Sequence, residues 1–166
     1  MAASLGPIQS VSVAALDAEH EACASVLKQL AETRSLSALA KVLSAYEAHF
    51  AHEEALLDAH LWKDAAAAAA AGDASAGGFD RKASMRKTHF ADHARMLKEL
   101  APGYDQLAKA ADGSMDMDAA VLPQSVIDRA LREFEAHANT YDSYGPELAA
   151  SLAAANATPT PAIMVS

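Results

Sequence analysis

His49 and Glu53 stand four residues apart in the stretch HFAHEE, and His89 and His93 stand four apart in HFADH. On an α-helix a four-residue step turns about 40° and rises about 6 Å, so each pair projects from one face toward a common point. His137 and Asp142 are five apart in HANTYD. That step turns about 140°, so the two converge only if the carboxylate reaches diagonally or the helix widens locally into a π-bulge. His20, within LDAEHEAC, completes a set of five imidazoles and two carboxylates. Imidazole suits iron, zinc, copper and nickel, whereas a carboxylate can bridge two hard cations. With Glu53 and Asp142 as bridges, each of two metal ions gains two oxygens, and the five nitrogens divide three and two. One ion is then a ligand short. Two ferrous ions against two carboxylates and a bridging hydroxide leave a net charge of about +1, which a shell of neutral imidazoles tolerates.

His52 and His60 lack such partners. His60 nearly eclipses Glu53 but lies about 10.5 Å further along the helix, beyond ligation, and His52 is rotated about 60° from His49 onto a helix flank, so both are expected at the surface or behind the ligands. Seven ligands over-supply a single structural zinc, which usually takes four. Cys23 is the only cysteine, so no internal disulfide forms and a small core residue is the expectation.

The elements that must carry these residues are helices. The chain has 166 residues, 43 of them Ala, and only 15 Val, Ile and Thr together; backbone preference is therefore helical almost throughout. Four blocks are expected: Val13 to Thr33; Leu36 to Ala71, closed by the loop Gly72 to Gly78; Asp80, as N-cap, to the Pro102-Gly103 break; and one opening at Pro123 and running to Tyr144. Gly145-Pro146 is expected to interrupt the last of these. A short helical piece from Tyr104 to Ala111 and a stub over 147–156 are added. The fold class predicted is all-α, an up-down-up-down antiparallel four-helix bundle in one domain over 1–166, the bundle about 13–145. Loop insertions occupy about 72–79 and 102–122, and a C-terminal tail about 147–166. Aromatic residues make up 5% of the chain, so the core should be narrow, with its polar ligands helping to fill it.

Charge and patterning exclude several partners. The formal charge is −9 with a pI near 5.1, which repels nucleic acid and anionic lipid. The longest apolar run, Ala65 to Ala71, is far short of the ~20 residues a membrane span needs. The amino-terminal stretch lacks the features of a secretory signal or a transit peptide, so a cytoplasmic location is expected.

The four motifs LDAEHE at 16–21, HFAHEE at 49–54, HFADH at 89–93 and HANTYD at 137–142 resemble, in order and inner spacing, those of the hemerythrin family, specifically its single-domain bacterial members, over about residues 11–145. The resemblance implies a diiron centre in the bundle core. His89, His93 and His137 would be terminal ligands of one iron and His20 and His49 of the other, with Glu53, Asp142 and an oxo or hydroxo group as bridges. It also implies reversible dioxygen binding at the iron near His20 and His49, for storage, delivery or sensing, without enzymatic turnover. Phe50, Phe90 and Phe134 would either shield that position or serve as ordinary core packing. A diiron oxidase, a peroxidase or a nitric-oxide-handling protein is the alternative. Ferritin-like oxidases carry Glu-x-x-His on two helices, and this sequence has none; relatives with HxxxE on the last helix would have Glu where Tyr141 stands. Against the family's compact members, the intervals Glu53 to His89 and His93 to His137 are long.

Overall fold

The computed structural model describes residues 4–70, 80–117, 119–140 and 144–157. Among them are seven α-helices: α1 (Ala14–Thr33), α2 (Leu36–His60), α3 (Lys63–Ala70), α4 (Arg81–Glu99), α5 (Tyr104–Ala111), α6 (Gln124–Thr140) and α7 (Gly145–Ala157), with a 3-10 turn at Ala101–Gly103 before α5. No strand forms among the described residues. Asp142 and the insertion at 72–79 lie outside them, as does the tail from 158 onward.

Local chemistry sets most helix ends. Asp17, in the first turn of α1, accepts from the Val11 amide at 2.7 Å and the Ser10 hydroxyl at 2.8 Å, which ties down the chain entering the helix. Arg34 ends α1 in the left-handed region, φ 55°, and Ser35 then caps α2 by accepting from the Ala38 amide. The Arg34 guanidinium donates to the Leu122 carbonyl, and the Leu122 amide returns a bond to the Arg34 carbonyl. The α5–α6 connection is thus pinned across the α1–α2 turn. Asp80 caps α4 through the amides of Lys82 and Ala83, as its position in the sequence predicts.

Two expectations change. The second block is not one helix to Ala71. The amides of Leu61 and Trp62 both turn back to the Leu57 carbonyl, and a new helix starts at Lys63. Leu61 and Trp62 are both buried; on a continuous helix these neighbours would point about 100° apart, and the break lets both enter the core. Gly145-Pro146 does not merely interrupt a helix: it opens α7, since the missing proline N–H is not needed in a first turn. At Gly145 a Cβ would fall 2.2 Å from the Val11 carbonyl oxygen, so only glycine allows the start of α7 to lie against the amino-terminal segment. At the fourth block, Pro123 stands just before α6, its carbonyl accepting from the Val126 amide.

Helix α1 packs on α2 and α6, α2 also on α4, and α4 on α6. Each inward stripe mixes apolar side chains with the histidines: Leu16, His20, Cys23 and Leu27 on α1; Tyr46, His49, Phe50, Glu53 and Leu57 on α2; Phe134 and His137 on α6. Apolar side chains form two clusters. The larger includes Leu27, Leu39, Tyr46, Phe50, Leu131 and Phe134, and the smaller Leu16, Leu57, Trp62, Tyr144 and Leu148. Both clusters touch the histidines, Phe50 through His93 and Trp62 through His89. No helix among the described residues is long and apolar enough to cross a membrane.

Candidate metal centre

Glu53 is the focus. Its Oε2 lies 3.1 Å from Nε2 of His93, 3.3 Å from that of His89, 3.7 Å from that of His137 and 3.9 Å from that of His49. These side chains come from α2, α4 and α6, and all are buried. Glu53, His89, His93 and His137 each offer one donor atom, all within 4.8 Å of one another, and can hold a metal ion. His20 adjoins the group through His49, the two rings meeting edge to face at 4.7 Å between centroids. The structure therefore gathers four of the seven predicted ligands around a fifth, the Glu53 carboxylate, and sets His20 beside them. Asp142, the seventh, lies outside the described residues.

Three imidazoles are oriented by carboxylates that sequence reasoning passed over. Glu19 Oε2 is 2.9 Å from Nδ1 of His49, Glu54 Oε1 is 2.8 Å from Nδ1 of His93, and Asp92 Oδ2 is 3.1 Å from Nδ1 of His137. An ionised carboxylate only accepts, so Nδ1 carries the proton and the Nε2 lone pair is left facing Glu53. Each orienting residue comes from the preceding one of the four helices that carry the histidines: α1 serves α2, α2 serves α4, and α4 serves α6. Each is also the immediate neighbour of a predicted ligand, Glu19 of His20, Glu54 of Glu53 and Asp92 of His93. That adjacency was the available signal. Neighbours on a helix diverge by about 100°, which turns the second residue toward the next helix. Tyr144 was also missed: its hydroxyl donates to Glu53 Oε1 at 2.8 Å.

Several polar atoms here are buried without a hydrogen-bond partner among the described residues: both ring nitrogens of His20, Nε2 of His49 and His93, and Oε2 of Glu53. Orphaned buried polar atoms are costly, and those of Glu53, His93 and His49 aim into one place. Nitrogen lone pairs around a carboxylate oxygen repel one another unless a cation sits between them. The charge states fit that cation. Burial pushes the Glu53 carboxyl upward, but the surrounding His137, His89 and His93 rings outweigh it and hold the group well below the usual carboxylate range. Burial lowers His49 and His89, and burial with the neighbouring His49 lowers His20 to about 4, so these rings are neutral donors. His137 is raised, because Asp92 and Glu53 together overcome its burial. A metal ion would replace that proton. Asp92, bonded to His137 and to Arg95, is lowered to about 2.

The remaining expectations sort as follows. His52, its side chain 42% exposed, is held by the same Glu19, Nδ1 to Oε1 at 2.6 Å, and so acts on the site only through that carboxylate. His60 stays at the end of α2, outside the cluster. Phe134 and His20 lie nearly perpendicular, 6.1 Å between ring centroids, and Phe50 stacks on His93 at 4.0 Å. Phe90 does not face His20 and His49: half-buried, it flanks His89 and His93 and is capped by the Arg86 guanidinium. Cys23 is buried in the larger core cluster, and burial together with Glu19 pushes its thiol up to about 12.

No protein-family model, curated protein or solved structure matches the chain, so the site's own geometry carries the chemistry.

Proposed function

We propose that this chain is a cytoplasmic, non-enzymatic dioxygen-binding protein of the hemerythrin type, with two iron ions in the core of an up-down-up-down four-helix bundle made by α1, α2, α4 and α6. What carries the reading is the convergence of four buried Nε2 atoms on one carboxylate oxygen, with the bare nitrogens of His20 beside them. The pairwise packing of the four helices around a closed circuit, and the two-residue link between α1 and α2, support the bundle. In this reading His89, His93 and His137 hold one ion, His20 and His49 hold the other, and Glu53 bridges them with Asp142 and a hydroxo or oxo group. The ion pair would supply the electrons that reversible dioxygen binding draws on.

The chain's own residues then do the rest. Glu19, Glu54 and Asp92 aim three imidazoles, and Phe50 and Phe134 keep water from the ring faces. A cavity of about 200 Å³, lined by Ile8, Gln9, Ser10, Asp17, His20 and Glu21, opens beside His20 and gives a small molecule a way in. The test is optical. The iron-loaded protein is reduced without air, exposed to dioxygen and then deoxygenated. Visible charge-transfer bands that appear and vanish support a carrier, and one-way oxidation assigns the chain to the oxidase, peroxidase or nitric-oxide-handling alternative.

A further inference from the structure

Tyr144 enters the site from an unforeseen direction. It precedes α7 and is 5% exposed, yet its hydroxyl is spent inside the histidine cluster rather than on water. The hydroxyl donates to Glu53 Oε1 at 2.8 Å, and Nε2 of His89 lies 3.1 Å from that same hydroxyl oxygen. Two contacts fix the phenol there. Trp62 packs edge-on against both Tyr144 and His89, with 5.8 Å between ring centroids in each case. Next in the chain, Gly145 lies so close to the Val11 carbonyl that any side chain would force it away. The two oxygens of Glu53 are thereby given different work: Oε1 takes the phenol, and Oε2 faces the imidazoles.

We propose that Tyr144 is a positioning residue of the metal centre, whose phenol hydrogen bond fixes the orientation of Glu53, draws charge out of that carboxylate and so biases bound iron toward its ferrous state. The inference rests on the metal reading above, and on iron in particular. A hydrogen bond to a charged oxygen is stronger than one between neutral groups. A carboxylate that shares its charge with a donor is a poorer electron donor to a cation, and the more highly charged ferric state loses more from this than the ferrous state. Tyrosine serves better than a charged donor at this place: it supplies one proton, adds no net charge to a buried site, and packs against both Trp62 and His89.

The experiment compares iron-loaded wild type with Tyr144→Phe in metal content, helicity and redox equilibrium against a dye couple at fixed potential. The expected result is unchanged iron content and helicity, with the ferrous-to-ferric ratio lowered about tenfold. Tyr46→Phe serves as control; its hydroxyl is buried without a hydrogen-bond partner among the described residues, and the ratio should not move. An unmoved ratio in Tyr144→Phe with iron retained overturns the inference and leaves the metal reading intact. Should Tyr144→Phe lose its fold or its iron, 3-fluorotyrosine placed at 144, a stronger donor of nearly the same shape, decides: a raised ratio supports the inference and an unmoved ratio overturns it. A wild-type chain that holds no iron overturns both.

Discussion

On the α4–α6 side of Glu53, the rings of His93 and His137 are fixed through Nδ1 by Glu54 and Asp92, whereas on the α1 side His20 has neither ring nitrogen bonded among the described residues. The difference follows from the order of the helices. Around the circuit α1, α2, α4, α6, each orienting carboxylate comes from the helix before and stands next to a predicted ligand of its own, and the helix that would serve α1 in this way is α6. There His137 is flanked by Ala136 and Ala138, which have nothing to donate or accept. A held imidazole keeps its lone pair on the metal at little entropic cost, while a free one can adjust or yield. His49 on that side is held by Glu19, so the loose point is His20 itself, next to the cavity at Ile8 to Ser10; in the proposed reading the stiff side would retain an ion and the looser side would exchange a small ligand.

Substitutions can break this contrast at graded cost. Glu53→Gln removes the carboxylate that, among the described residues, both sides share, and with it the charge that faces the imidazoles. Metal content measured by elemental analysis should fall to background, and retention of either ion would refute the common bridge. His20→Ala touches the loose side alone. The variant should keep one ion per chain on the α4–α6 side and lose the dioxygen response, so loss of both ions would show that the two sides are not separable. Asp92→Asn leaves every proposed ligand in place but weakens the hold on His137. Competition with a chelator should reveal a loss of about 10–100-fold in affinity for the stiff-side ion, with the other ion little changed. Smallest is Tyr46→Phe, which removes a buried hydroxyl that has no partner among the described residues and sits against Phe134 and Phe50. It should raise metal-free stability by about 1 kcal/mol in denaturant titration, and a loss would mean that the hydroxyl is bonded after all.

What the sequence made legible was what one helix decides by itself. The spacing of His49 with Glu53 and of His89 with His93 fixes a shared face whatever the neighbouring helices do, and those residues do meet. The caps at Ser35 and Asp80 are equally local. The roles of Glu19, Glu54 and Asp92 depend on how each helix is rotated against the next, which no single-helix pattern encodes. The break at Leu61-Trp62 was hidden for the same reason: both residues suit a helix, and the demand that both be buried comes from the packing of Trp62 with Tyr144 and His89. Tyr144 lies just before a Gly-Pro pair that reads as the end of helical structure, so nothing local ties it to Glu53.

Anomalous diffraction at the iron absorption edge, from crystals of the iron-loaded protein, puts the site to the sharpest test. Two iron peaks should appear on either side of Glu53, one among His89, His93 and His137 and the other beside His20 and His49. A single peak, a zinc signal in place of iron, or a protein without metal at Glu53 would contradict the diiron centre.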